Sequence, residues 1–341
     1  MDFAFISKYV CHFKMKKMKA VFCRQYGGPE VLEIKDIPRV TPDENEVIIR
    51  NHAASITTAD TFLRKGEPKF GRLFLGWSKP KQPMVGTGFA GVIEEVGSKV
   101  SAFKAGDKVY GETVFGFGAN AEYVRAHVEK SIIRKLPEQM SFEQAACMCD
   151  GVLTSYNFLK DLGKLSKGQH VLINGASGAL GTAGIQIAKC LGAHVTAVCS
   201  GKNEAWIREI GADHVIDYHQ EDFTMSNDSY DLVYDSIGKS TYSKTKRLLK
   251  KGGAYLSPVL SLPLLITMIG TSIASSKKAR FEATGLKNIS VLHQFLEHLE
   301  LWVIEGKLQV VMDKTYPIED IVEAHRYVDS GRKKGNLTIQ F

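Results

Sequence analysis

Residues 171–191 read VLINGASGALGTAGIQIAKCL. Val171, Leu172 and Ile173 form a short apolar run of the kind that fills a buried strand. Gly175, Gly178 and Gly181 interrupt it. Leu180, Gly184, Ile187 and Leu191 then recur at helical spacing, which predicts one packed helix face. Strand, glycine turn and helix in that order place unpaired N–H groups and a partial positive charge where a dinucleotide pyrophosphate can sit. Glycine suits the turn, because a side chain would hold the backbone off the phosphate and the helix off the strand. The first glycine gap is wider than in G-x-G-x-x-G, and any α/β protein can carry a glycine turn, so the flanking sequence has to decide.

Downstream, residues 194–199 (HVTAVC) read as a second strand, 204–210 as a helix stopped by Gly211, and 215–216, 232–235 and 254–257 as further strands. A helix is expected over 240–249, and 279–283 suits a sixth strand. Strands alternating with helices at this spacing predict a parallel, doubly wound sheet. The nearly uncharged run 257–274 (SPVLSLPLLITMIGTSIA) is close to membrane-spanning length, but Pro258 and Pro263 interrupt it. It is expected to be a buried helix at a subunit or domain contact, or an apolar wall of a substrate pocket. The tail predicts helices over 289–305 and 318–329, a strand over 310–312, and a last strand over 336–341 that returns to the first domain.

Upstream, residues 18–139 alternate short β-like runs (20–22, 46–50, 91–96, 108–110 and 121–124) with turn residues such as Gly27-Gly28-Pro29 and Gly106-Asp107, as in a compact antiparallel barrel or sandwich. Ser141 followed by Gln144 fits a capping box ahead of a helix over 143–148, with another over 154–162.

The chain has 341 residues, about two domains' worth. Its formal charge is +7, of which residues 1–19 carry +4 (five lysines, one aspartate), so +3 is spread over the rest. That is no nucleic-acid footprint. The six cysteines form no C-x-x-C pair or disulfide framework, which points to a reducing cytoplasm. Residues 1–17 lack a small-residue cleavage site and read as an N-terminal extension before Met18, not a secretory signal.

Several blocks together name a family: GFAGVIEEVGSKVSAFKAGDKVYG (88–111), GASGALGTAGIQIAK (175–189), GADHVIDYHQEDF (211–223), YDLVYDSIG (230–238) and GNLTIQF (335–341). From about Met18 to Phe341 the chain resembles the medium-chain dehydrogenase/reductase superfamily, in its zinc-free quinone oxidoreductase branch. The resemblance implies an α/β fold in which a Rossmann doubly wound parallel sheet domain is inserted in a GroES-like β-rich catalytic domain. The expected division is an extension at 1–17, the catalytic domain at 18–140, an NADP-binding domain at 141–284 and a returning catalytic segment at 285–341. NADPH and a small-molecule substrate would share the cleft, and the family is often homodimeric.

Zinc members of the superfamily carry a cysteine in the first β-rich segment and a Gly-His-Glu before the 91–96 strand. Here those segments read Ala53-Ala54-Ser55-Ile56-Thr57-Thr58-Ala59-Asp60 and Gly86-Thr87-Gly88, with no cysteine or histidine. No metal ligand is therefore assigned, and Cys147 and Cys149 read as packing. Without a Lewis acid a conjugated enone or quinone is the easier acceptor, because its π-system spreads the charge that hydride delivers.

A carboxylate at the end of the second strand would select NAD, but Cys199-Ser200-Gly201-Lys202-Asn203 has none. Ser200 and Asn203 can donate hydrogen bonds and Lys202 can pair with a 2′-phosphate. The family match adds Tyr218 beside that phosphate, Thr154 near the nicotinamide amide (or capping its helix), and Asn336 as a coenzyme contact. Ser177, Gly178, Ala179 and Leu180 line the expected pyrophosphate site, and Ser236 and Val259 follow strand ends at the carboxyl edge. Arg332, Lys333 and Lys334 read as a solvated run, with added positive potential at the phosphate site as the alternative. For catalysis, Thr57 stands where the family often has an asparagine and is the candidate oxyanion donor, with Asp60 read as a helix cap. Phe62, Tyr110, Phe115 and Phe117 are pocket aromatics or core.

The expectation is a zinc-independent NADPH-dependent reductase of quinones or α,β-unsaturated carbonyls. The alternatives are a zinc-free NADP-dependent alcohol dehydrogenase or ketone reductase, and an NADPH-binding scaffold or redox sensor with little turnover.

Overall fold

The computed structural model describes residues 16–341. Cys11 and nearly all of the expected 1–17 extension therefore lie outside the described residues, and Lys17 already belongs to a strand. The first segment holds β1 (Lys17–Cys23), β2 (Leu32–Pro38), β3 (Glu46–Ser55), α1 (Thr58–Lys65), α2 (Arg72–Leu75), β4 (Gly88–Val96), β5 (Lys108–Glu112), β6 (Tyr123–His127) and β7 (Ile132–Lys135). Then come α3 (Phe142–Ala146), α4 (Leu153–Tyr156), β8 (His170–Asn174), α5 (Ala179–Cys190), β9 (His194–Cys199), α6 (Glu204–Glu209), β10 (His214–Asp217), β11 (Tyr230–Asp235), α7 (Tyr242–Thr245), β12 (Leu249–Leu256), α8 (Leu262–Ala274) and β13 (Lys278–Arg280). The tail is α9 (Ile289–Ile304), β14 (Met312–Pro317), α10 (Ile321–Asp329) and β15 (Asn336–Gln340).

Six strands form one parallel sheet in the order β10-β9-β8-β11-β12-β13. The chain winds outward from β8 in one direction and then from β11 in the other, so a crevice opens between their carboxyl ends, at Asn174 and Asp235. The second sheet runs β14-β15-β3-β4-β5-β7, with β6 paired to β3. β15 lies antiparallel to β3, setting Thr338 opposite Ser55, so the last strand returns to the sheet of the first segment, as expected.

Local chemistry accounts for most elements. Ser141 and Gln144 complete the expected capping box at the start of α3. Five findings differ from expectation. The helix expected over 240–249 is one α turn, α7, followed by a 3-10 turn over Lys246–Leu248, and Leu249 already begins β12. The helix expected over 154–162 is one α turn between π turns at Met148–Val152 and Asn157–Leu162. Helix α5 is buried almost all round, from Gly181 to Ala188, because it lies between sheet and tail and not on the surface. The strand expected at 310–312 starts only at Met312. Helix α8 is not buried: Leu262, Ile266, Ile269 and Ile273 are exposed along one stripe, while Leu264 and Thr271 face inward beside β13.

Candidate active site

Two glycines of the turn answer to close approach. Gly175 has φ +80°, and a Cβ there would come within 2.5 Å of Ile237. At Gly181 a Cβ would meet the carbonyl oxygen of Gly175 at 2.3 Å, so α5 can reach the strand only without one. Gly178 differs, since its Cβ position is open apart from a backbone oxygen at 3.5 Å. It is the N-cap of α5 and supplies no side-chain cap, which leaves the N–H groups of the first turn available to an anion. Ser177, Gly178 and Leu180 are partly exposed there, Ala179 is buried, and Gly335 of the tail donates its N–H to the Ser177 carbonyl at 2.8 Å.

At the end of β9, Ser200 and Asn203 are buried and Lys202 is exposed on the turn between them. The Asn203 side-chain amide oxygen, Oδ1, accepts from the Trp206 indole at 3.3 Å. Tyr218 is 54% exposed, and its N–H donates to the Cys199 carbonyl, which brings it beside the same turn. The sequence of this strand end contains no acid, but the fold brings one from β10: a Cβ on Gly201 would stand 2.5 Å from Asp217 Oδ2. The other oxygen of Asp217 accepts the His219 N–H at 3.0 Å.

Across the crevice, Ser236 is buried and its hydroxyl donates to the Asn174 carbonyl at 2.7 Å, which ties β11 to the strand before the glycine turn. Val259 packs against Gly238, whose φ is +64°. Asn336 is buried and donates to the Val311 carbonyl, and its amide oxygen lies 3.2 Å from a Cβ built on Gly151. Thr154 is the second residue of α4 and not its cap, which is Val152. Tyr110 is core: its hydroxyl donates to Glu300 at 2.6 Å. Phe62 and Phe117 are half-buried, and the Phe115 side chain lies outside the described ones.

The β-rich lobe contributes Thr57, which is buried and caps α1. Its Oγ1 accepts the Asp60 N–H at 3.0 Å and its hydroxyl hydrogen points to Asp60 Oδ2 at 2.8 Å. Burial pushes the Asp60 carboxyl up to about 6, with Asp150 adding to the rise. Burial likewise lifts Glu112 to about 8, helped by the charges of Asp150 and Asp60, and raises Asp150 itself. Arg332 and Lys334 are exposed as expected, whereas Lys333 between them is half-buried, and its charge opposes the rise at Asp60 and Asp150. Three carboxyls and a lysine from four separate segments thus converge. Glu112 and Asp150 escaped the sequence reading. Their only signal was an acid set in an apolar stretch, AACMCDGV and KVYGE.

Among the described residues no group of three or more His, Cys, Asp or Glu side chains is arranged to hold a metal ion. Burial raises the thiols of Cys147, Cys149 and Cys199, which keeps them protonated and unreactive. No helix of the described residues is long and apolar enough to cross a membrane.

Residues 43–138 match the alcohol dehydrogenase GroES-like domain family, and residues 210–339 the family described as zinc-binding dehydrogenase. The chain is 30% identical to the mitochondrial NAD(P)H oxidoreductase RTN4IP1 of Mus musculus, over 94% of this chain and 89% of that one. It is 32% identical to 2-methylene-furan-3-one reductase of Solanum lycopersicum, over 95% of this chain and 79% of that one. Its fold superposes on Escherichia coli quinone oxidoreductase complexed with NADPH with a TM-score of 0.81 at 26% identity, covering 95% of this chain and all of the other. Together these findings define an NAD(P)H oxidoreductase. The chain belongs to the medium-chain dehydrogenase/reductase superfamily, in its quinone oxidoreductase branch.

Proposed function

We propose that this chain uses NADPH to reduce quinones or α,β-unsaturated carbonyls, without zinc. The observation that carries the reading is the donor set of the β-rich segment. It offers the Thr57 hydroxyl and the proton-holding carboxyls Asp60 and Glu112, in place of the thiolates and imidazoles that hold a catalytic zinc. The coenzyme, when bound, supplies a hydride. Reduction of a quinone or enone then consumes one proton as well, and Glu112 keeps one up to about pH 8. Thr57 gives its one hydroxyl hydrogen to Asp60 Oδ2, so it can orient the acceptor oxygen only when Asp60 is protonated and donates to Oγ1 in return.

The α5 N-terminus, with Ser177, Gly178, Ala179 and Leu180, fits a pyrophosphate, because the Cβ position of Gly178 is open. Ser200, Lys202, Asn203 and Tyr218 would hold the 2′-phosphate, with the exposed Lys202 ammonium offsetting the nearby Asp217. Thr154, Ser236, Val259 and Asn336 would flank the nicotinamide end. The relatives lend support: one solved neighbour is complexed with NADPH, and another relative is named as a reductase of an unsaturated ketone. The test is steady-state turnover of a quinone, an enone and an aliphatic alcohol, with NADPH and with NADH, before and after exhaustive chelation. Chelation-resistant reduction of the first two with NADPH is expected. Turnover of the alcohol alone, lost on chelation, would overturn the reading.

A further inference from the structure

We propose that the segment 65–82 (KGEPKFGRLFLGWSKPKQ) docks this protein on an anionic lipid bilayer. The segment leaves the C-terminal end of α1 and presents Leu73, Phe74 and Trp77 at 64%, 79% and 75% exposure, with Phe70 beside them. These side chains are held outward by a braced backbone. Arg72 donates to the carbonyls of Gly66 and Lys65 at 2.9 and 3.0 Å and lies 4.4 Å over the Tyr26 ring. The Tyr26 hydroxyl donates to the Gly76 carbonyl at 2.7 Å, and the Lys81 N–H to that of Leu75 at 2.8 Å.

Charge selects the occupant. The segment carries five basic residues against one acid, Glu67. Lys65 pairs with Asp329, but Lys69, Lys79 and Lys81 are exposed and have no acidic partner among the described residues. Aromatic and leucine side chains ringed by lysines suit the bilayer interface, where rings sit at headgroup depth and ammonium groups reach lipid phosphates. Lysine is depleted from protein–protein contacts, which argues against a second copy or another protein on this face. The exposed stripe of α8 has no such charges and nothing to say what covers it.

The full chain is tested by flotation with vesicles of phosphatidylcholine alone and of phosphatidylcholine mixed with phosphatidylglycerol, at low and high salt. Flotation with the anionic vesicles alone, reversed by salt, is expected. The triple variant Lys69→Gln, Lys79→Gln, Lys81→Gln should lower partitioning by roughly 100-fold, at about fivefold for each lysine. Phe74→Ser with Trp77→Ser should lower it at least about tenfold. The unaltered chain provides a readout that does not depend on those variants folding. Of its three tryptophans Trp77 is the strongly exposed one, so brominated lipid should quench its fluorescence, and Trp77→Phe should abolish the quenching while flotation persists. Three results would each overturn the proposal: absence of flotation with anionic vesicles, equal flotation with neutral ones, or a lipid-free dimer that Phe74→Ser with Trp77→Ser dissociates.

Discussion

The Thr57 hydroxyl donates to Asp60 Oδ2 at 2.8 Å, while the Asp60 N–H donates back to Thr57 Oγ1 at 3.0 Å. One pair of side chains therefore both starts α1 and joins the catalytic hydroxyl proposed here to a titrating carboxyl. The Asp60 carboxyl lies near 6 against 3.8 for an ordinary aspartate, so the folded chain holds the extra proton between those values. This group therefore makes stability fall as pH rises from about 4 to about 6, and above that the loss is complete. Asp60→Asn, which removes the charge but keeps an acceptor, should flatten that part of the stability–pH curve by on the order of 2–3 kcal/mol, read by denaturant titration.

Glu112 titrates near 8, with burial as the main cause. If its protonated form returns the proton, activity falls as pH rises through about 8. Glu112→Gln should remove that limb from the kcat/KM profile and lower the plateau by about 10²-fold. A profile identical to that of the unaltered enzyme would exclude Glu112 from the proton path.

The glycines of the turn should separate in their effects. Gly181→Ala sets a Cβ against backbone at 2.3 and 2.6 Å, forcing α5 off β8 at a cost of about 1–3 kcal/mol and at least tenfold in coenzyme affinity. Gly178→Ala meets only an oxygen at 3.5 Å and has φ −84°, so Tm should hold and any loss should fall on coenzyme binding alone. Thermal melts and coenzyme fluorescence titrations distinguish the two.

Coenzyme choice is expected to rest on Lys202. Lys202→Ala should weaken NADPH about tenfold and leave NADH nearly unchanged, since only the 2′-phosphate loses a charged partner. Asp217→Asn should act in the opposite sense, because its carboxylate stands 2.5 Å from a Cβ on Gly201. Paired titrations with the two coenzymes check both.

Arg64 is fully buried and pairs with Asp329 of α10, while its Nε and Nη1 find no partner among the described residues. Asp329→Asn leaves that cation uncompensated and should cost about 3 kcal/mol in chemical denaturation. Arg64→Met, which removes the charge along with the partner, should cost less.

Where local chemistry governs, the residues could be read directly. The Ser141–Gln144 box, the order of glycine turn and helix, and the alternation that builds the parallel sheet all depend on neighbours within a few positions. Thr154 does not cap α4, because the π turns on either side set its first residue at Leu153, after the N-cap Val152, and no residue pattern announces them. The α8 stripe differs for a related reason: apolarity reports a preference for burial, and here one face of the helix packs on β13 while the other is exposed among the described residues.

Chain order and periodicity alone predicted a β-rich first segment, a parallel sheet after it and a strand, glycine turn and helix in that order, since each is a property of contiguous residues. Folding decided the rest. Asp217 reaches Gly201 only because β10 lies beside β9, and Asp60, Glu112, Asp150 and Lys333 act on one another only because the two sheets bring distant segments together. A proton affinity depends on the water excluded and the charges nearby, and neither exists until those segments meet.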